Sequence, residues 1–103
     1  AGAQAINFLD DINMDTALLV PSGLSVESGF TSGNYSECEV KKFIVKKARH
    51  KIMLMDDTKL DKSLPYTFVR MDEVETVITN ANLPSELNNA LDANGINKVY
   101  VDI

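Results

Sequence analysis

Residues 52–59 read IMLMDDTK: four apolar side chains, two carboxylates, a hydroxyl and a lysine. A short, wholly apolar run of this kind is typical of a strand covered on both faces, as in a parallel sheet. The polar end of the run has two interpretations, a simple solvent-exposed turn or the rim of a ligand site. The patterns on either side of it bear on that choice.

Helix and strand patterns alternate along the rest of the chain. Apolar spacing predicts helices over residues 3–12, from Ser36 to about residue 48, and from Pro84 to Gly95. Strands are predicted at residues 17–20, 52–55, 66–69, 76–79 and 99–101, and a long Pro, Ser and Gly-rich loop at residues 21–33. This order predicts an α/β fold with a mostly parallel, Rossmann-like sheet flanked by helices.

The predicted sheet also indicates where a ligand would bind. In open parallel α/β sheets, ligands occupy the crevice beyond the carboxyl ends of the strands. The loop after Val20 and the turn after Met55 both follow such ends. We therefore expect a site between them.

Composition describes one ordinary globular domain. The chain has 103 residues, of which 45% are hydrophobic and 24% charged, and it has neither a run of 18 apolar residues nor a signal-peptide pattern. Its single cysteine and single histidine provide no internal disulfide and no zinc spacing. We expect a cytoplasmic protein with no membrane segment, no metal and no other cofactor.

Charge is unevenly distributed. The net charge of -5 argues against direct binding of nucleic acid, which requires a basic surface. Residues 41–70 nevertheless carry nine basic side chains against three acidic ones. This segment has two interpretations, a site for a small anion or a solvated helix face.

Five short motifs occur in order along most of the chain. They are Asp15 before a strand with Gly23 in the following loop; Gly29, Phe30 and Thr31; Glu39, Val40 and Lys41 opening a helix; the D-D-T-K of residues 56–59; and Ile78 with Thr79. Together they resemble the sugar-phosphate effector domain of DeoR-type bacterial transcription regulators. That domain shares its fold group with ribose-5-phosphate isomerase, glucosamine-6-phosphate deaminase and coenzyme A transferases.

The resemblance implies a function and a domain organisation. Residues 1–103 would be the C-terminal part of the effector domain, without the winged helix-turn-helix and the phosphate-binding loop that precede it in the family. A phosphorylated sugar would be the effector, and operator DNA would be bound only through the missing N-terminal domain. The whole protein is expected to be a homo-oligomeric repressor of a sugar-utilisation operon.

The same resemblance assigns ligand-binding roles, each of which has a structural alternative. Lys59 could instead be an exposed turn lysine, and Asp56 a cap on the strand-end turn. Glu39 could favour the helix dipole, and Lys41 could be simply solvated. Gly23 could serve a tight backbone path. Thr31 could be an ordinary loop threonine.

Two other functions compete with a regulator. A sugar-phosphate isomerase of the same fold group needs a general base at the reacting carbon. The resemblance implies that the loop Val20, Pro21, Ser22, Gly23 corresponds to a loop that carries aspartates in ribose-5-phosphate isomerase, yet here it has no carboxylate. We therefore expect no enzymatic activity. The other alternative is an oligomerisation module that binds no ligand.

Overall fold

The computed structural model describes residues 2–102, which form three α-helices and seven strands. The helices are α1 (Gly2–Leu9), α2 (Tyr35–Lys47) and α3 (Ser85–Ala93). The strands are β1 (Met14–Leu19), β2 (Gly23–Ser25), β3 (Gly29–Ser32), β4 (Ala48–Met55), β5 (Tyr66–Val69), β6 (Thr76–Thr79) and β7 (Asn97–Tyr100). All three predicted helices and all five predicted strands are present. The first helix is shorter than predicted, and the residue expected to close the second, Ala48, begins β4.

The main sheet has four parallel strands in the order β1-β4-β6-β7. Its register places Leu18 opposite Ile52, and Leu54 opposite Ile78. Helix α2 lies between β1 and β4 in the chain, and α3 lies between β6 and β7. The predicted α/β class with a mostly parallel sheet is therefore confirmed.

Only one face of this sheet is covered by residues 2–102. Alternate residues such as Leu19, Met53 and Val77 are buried in one core, together with Leu87 and Leu91 of α3. The intervening residues on the other face are partly or largely exposed; among them are Leu18, Val20, Leu54, Val99 and Val101. Residues 2–102 thus cover the strands on one face, and the prediction that both faces are covered stays a prediction for the longer protein.

The strand order explains the one-sided burial. Successive parallel strands are added in a single direction from β1, and crossover connections between parallel strands are almost always right-handed. A single direction with a single hand sends every connection over the same face of the sheet. The opposite face, and the free edge of β1, receive no element from residues 2–102.

A second sheet replaces part of the predicted loop at residues 21–33. Strands β2 and β3 form an antiparallel hairpin, and β3 also pairs with β5. Leu24 and Phe30, the central apolar residues of the hairpin, are fully buried. The prediction of a loop was wrong because the small Ser and Gly residues around these two side chains hide the strand pattern.

Local sequence signals set the ends of the helices. The side chain of Asn34 caps α2 by accepting a hydrogen bond of 3.0 Å from the amide of Glu37. Pro84 precedes α3, and Gly95 ends it with a φ of 74°. This left-handed conformation suits glycine, which has no Cβ. Gly95 therefore ends the helix as the sequence predicted, whereas Pro84 takes the cap position just before the first turn and not a place within it.

Candidate functional site

A cleft of about 350 Å³ lies beyond the carboxyl ends of the parallel strands, where the sequence predicted a site. We call it the carboxyl-end cleft. Each main-sheet strand contributes its last residues or those just after them. The lining residues are Val20, Leu54, Met55, Asp56, Lys59, Asn80 and Val101.

Asp56 holds the turn that carries Lys59. Residues Asp57–Lys59 form a single 3-10 turn, and Asp56 caps it. One carboxylate oxygen of Asp56 accepts hydrogen bonds from the amide of Thr58 at 3.0 Å and from its hydroxyl at 2.5 Å. These hydrogen bonds, chiefly the one from the hydroxyl, keep the pKa of Asp56 below its ordinary value because they stabilise the carboxylate.

Lys59 provides the cationic group of the cleft. None of the ion pairs formed between residues 2–102 involves its side chain. Its own amide donates to the carbonyl of Asp56 at 3.3 Å, so the lysine backbone is part of the capped turn. The ammonium offers three donors and a positive charge, which suit a phosphate or a sugar hydroxyl.

The structure places Lys41 beside the cleft and Glu39 away from it. The ammonium of Lys41 donates to the carbonyl of Val20 at 2.7 Å and lies 5.0 Å from the ring centre of Phe68. It thus anchors the end of β1 at the cleft wall. Glu39 lines a different depression, formed by α1 and the start of α2.

Gly23 and Thr31 lie in the hairpin and do not line the carboxyl-end cleft. Thr31 is fully buried, and its hydroxyl oxygen accepts a hydrogen bond from the amide of Leu64 at 3.1 Å. A Cβ on Gly23 would lie 2.6 Å from the carbonyl oxygen of Lys62. Both residues contact the segment that follows Lys59.

Sequence reasoning missed Asn80. This residue follows β6, and its position after a parallel strand was the signal that would have identified it. The buried hydroxyl of Thr79 accepts a hydrogen bond from the amide of Ala81 at 3.1 Å, which turns the chain at this point. The exposed Asn80 side chain therefore adds both a donor and an acceptor to the cleft.

The chemistry of this cleft suits binding of a small polar anion against an apolar wall. Lys59 and Asn80 line it together with the apolar residues Val20, Leu54, Met55 and Val101. Within residues 2–102 no group of three His, Cys, Asp or Glu side chains is close enough to hold a metal ion. In the same part of the chain, no helix has the length and apolar character needed to cross a membrane.

Comparison with known proteins assigns the family. Residues 1–81 match the family described as the DeoR C terminal sensor domain. The chain belongs to that family. The resemblance predicted from five short motifs is thereby confirmed for a continuous stretch that includes both Lys59 and Asn80.

Relatives of this DeoR sensor domain are named as transcriptional regulators. The chain is 29% identical over 98 residues to the HTH-type transcriptional regulator GlpR of Haloferax volcanii, covering 95% of this chain and 38% of GlpR. It is 31% identical over 78 residues to the regulator IolR of Bacillus subtilis, covering 76% of this chain and 31% of IolR. It is 30% identical over 96 residues to the HTH-type transcriptional repressor GlcR of Bacillus subtilis, covering 92% of this chain and 36% of GlcR. The chain thus spans about a third of the length of these relatives.

Proposed function

We propose that this DeoR sensor domain is the effector-binding part of a transcriptional repressor of a sugar-utilisation operon. The effector is a phosphorylated sugar that binds in the carboxyl-end cleft. The observation that carries this proposal is the placement of Lys59 and Asn80 at the carboxyl ends of neighbouring parallel strands of a sensor domain. The names of the relatives support a regulator, and that of GlcR supports a repressor.

The chain is proposed to be the C-terminal part of its sensor domain. A doubly wound sheet covers both faces because its two halves wind in opposite directions from the centre. Here one face and the β1 edge lack a cover within residues 2–102, while the relatives are much longer than this chain. A preceding half of the domain would cover that face and supply the phosphate-binding loop. The helix-turn-helix that binds operator DNA would lie further upstream.

The cleft residues receive distinct roles in this proposal. The Lys59 ammonium attracts and hydrogen-bonds the anionic ligand, and the Asn80 amide selects among its oxygen groups. Asp56 keeps the lysine in place by capping its turn. Lys41 supports the wall by holding the carbonyl of Val20.

Regulation requires that the ligand prefer one arrangement of the whole protein. Only a difference in affinity between two states can shift their equilibrium, and the same difference then changes the affinity for operator DNA. We propose that those states are two arrangements of a homo-oligomer. The sensor domain contacts no DNA itself, in keeping with its net charge of -5.

Binding without turnover fits the carboxylates of the site. A general base works best when its pKa lies near the operating pH, whereas the pKa of Asp56 is lowered. Glu39, the other candidate carboxylate, lies in a different depression. A sugar-phosphate isomerase is therefore the weaker alternative.

Calorimetry on the protein at its natural length tests the proposal. A panel of pentose and hexose phosphates is titrated into the wild type, Lys59→Met, and the control Lys46→Met, which removes an exposed lysine from α2. We expect at least one sugar phosphate to bind the wild type and the control equally. Lys59→Met should bind it about tenfold or more weakly, as expected for loss of a charged hydrogen bond of about 1.5–3 kcal/mol.

Operator binding and turnover complete the test. The sugar phosphate that binds should change the affinity for operator DNA in the wild type and in Lys46→Met. An absence of binding throughout the panel would leave the oligomerisation module as the better function. Conversion of a sugar phosphate at ordinary enzymatic rates would favour the isomerase.

A further inference from the structure

We propose that the β2–β3 hairpin positions Lys59, and that Gly23 and Thr31 are positioning residues that act through the chain segment 60–64. The inference deepens the proposed function and rests on the role given to Lys59 there. It replaces direct ligand contact by Gly23 and Thr31 with an indirect role. The hairpin would be the support of the lysine-bearing turn.

Segment 60–64 begins immediately after Lys59 and lies along the hairpin. Leu60 forms a parallel bridge with Leu24. The amide of Lys62 donates to the carbonyl of Leu24 at 3.2 Å. The amide of Leu64 donates to the hydroxyl of Thr31 at 3.1 Å. The segment is thus attached to both strands of the hairpin.

A side-chain contact adds to these backbone attachments. The hydroxyl oxygens of Ser28 and Ser63 lie 2.5 Å apart, so the tip of the hairpin also holds the segment. The attachments together cover four of the five residues in the segment. They act as a continuous clamp rather than a single contact.

The fit between hairpin and segment requires glycine at position 23. A Cβ there would lie 2.6 Å from the carbonyl oxygen of Lys62 and 2.8 Å from the hydroxyl oxygen of Thr31. Distances this short force a shift of the backbone. Gly23 therefore allows the approach that the hydrogen bond of Thr31 completes.

One residue of the segment has a left-handed backbone conformation between two of these contacts. Asp61 has a φ of 55°, in the left-handed region that aspartate adopts more readily than most residues other than glycine. Such conformations persist where the surroundings hold them. In this case the attachments at Leu60 and Lys62 flank Asp61 on both sides.

The clamp matters for the cleft because the lysine turn has two anchors. On its amino side the turn follows β4 and is capped by Asp56. On its carboxyl side it runs into segment 60–64. Leu24 and Thr31 are fully buried, so the hairpin is packed into the core where it contacts that second anchor. Residues that fix a binding group within a fraction of an ångström control affinity without contacting the ligand.

The test compares Thr31→Val with Thr31→Ser. Valine keeps the shape of the side chain but leaves the Leu64 amide without its acceptor, whereas serine keeps the hydroxyl. A third variant, Leu91→Val, removes volume from the core at α3 and controls for general destabilisation. All are studied well below their unfolding temperatures, in the protein at its natural length.

The first measurement uses no ligand. We expect the amide chemical shifts of Thr58 and Lys59 to move in Thr31→Val, with lower order parameters for both amides. These signals should stay at wild-type values in Thr31→Ser and Leu91→Val. A change confined to Leu64 and the hairpin would overturn the inference.

The second measurement is the affinity for the sugar phosphates of the panel. Thr31→Val should bind about tenfold more weakly, because a small displacement of a positioned group has an effect of this size or larger. Thr31→Ser and Leu91→Val should bind as the wild type. If Thr31→Val binds as the wild type while Lys59→Met binds weakly, the positioning role of the hairpin is refuted and the proposed function stands. If Lys59→Met binds normally, the proposed function fails, while the amide shifts still report whether the hairpin positions the turn.

Discussion

Replacing Leu18 with alanine tests whether the exposed face of the main sheet, on which Leu18 lies, is covered in the whole protein. Leu18 and Leu19 are neighbours on β1 but point to opposite faces, and the two residues are 59% and 8% exposed. Leu19→Ala is the matched control because it removes the same atoms from the existing core. The two substitutions are compared in the 103-residue chain and in the protein at its natural length.

The exposed fractions set the expected size of the effect. Burying a whole leucine side chain contributes about 1.5–3 kcal/mol, so covering the 59% of Leu18 that is exposed would add about 1–2 kcal/mol. Leu18→Ala should therefore destabilise the natural-length protein by about 1–2 kcal/mol more than the 103-residue chain. Leu19→Ala should cost about 2–5 kcal/mol in both, because its surroundings are already complete.

Native-state hydrogen exchange of the β1 amides measures both free energies on one scale. Exchange reports the opening of this strand even where other domains unfold separately. An equal cost of Leu18→Ala in the two polypeptides would mean that the face remains in water. The proposal that a preceding half-domain covers it would then be refuted.

Three further predictions concern backbone strain, the buried thiol and the capped turn. Gly95→Ala introduces only left-handed strain of about 1–2 kcal/mol, because no atom lies within 4 Å of its new Cβ. Gly29→Ala should lower the free energy of unfolding by about 1–3 kcal/mol more than Gly95→Ala does, because its Cβ would lie 2.9 Å from a carbonyl oxygen and overpack the site. Equal urea midpoints for the two variants would contradict this. Burial raises the pKa of the Cys38 thiol, so a disulfide reagent should label it slowly in the native protein and rapidly in urea, and fast native labelling would count against its burial. The pKa of Asp56 is lower in the folded than in the unfolded protein, so its ionised carboxylate stabilises the fold. This stabilisation is complete at pH values above the unfolded pKa of about 3.9, and it is lost as the pH falls through the folded pKa. In Thr58→Val the pKa of Asp56 measured by NMR should rise toward that unfolded value, and an unchanged pKa would exclude the Thr58 hydroxyl as its main cause.

Most helices and parallel strands were predictable because their signals are local. Residues 52–55 form one continuous apolar run, and Pro84 and Gly95 mark the two ends of a helix whatever surrounds it. The hairpin was not predictable in the same way. Leu24 and Phe30 are buried by β5 and segment 60–64, which lie more than thirty residues further along the chain.

The residues of the candidate site also differ in how far the sequence alone predicted their place. Asp56 and Lys59 were predicted from their position at the end of an apolar run together with the family resemblance, and Asn80 would have followed from the same strand-end rule. Gly23 and Thr31 were assigned to the ligand by resemblance. The structure instead places them against the segment that follows Lys59.

The amino-acid pattern alone thus established the α/β order, the parallel strands and the family. Those features depend on spacing and on motifs that persist along a linear chain. The tertiary structure decided which face of the sheet is buried, which residues meet at the carboxyl-end cleft and how Lys59 is held. These depend on contacts between residues far apart in sequence, such as the hydrogen bond from the Leu64 amide to the hydroxyl of Thr31. The spacing of residues along the chain does not predict such contacts.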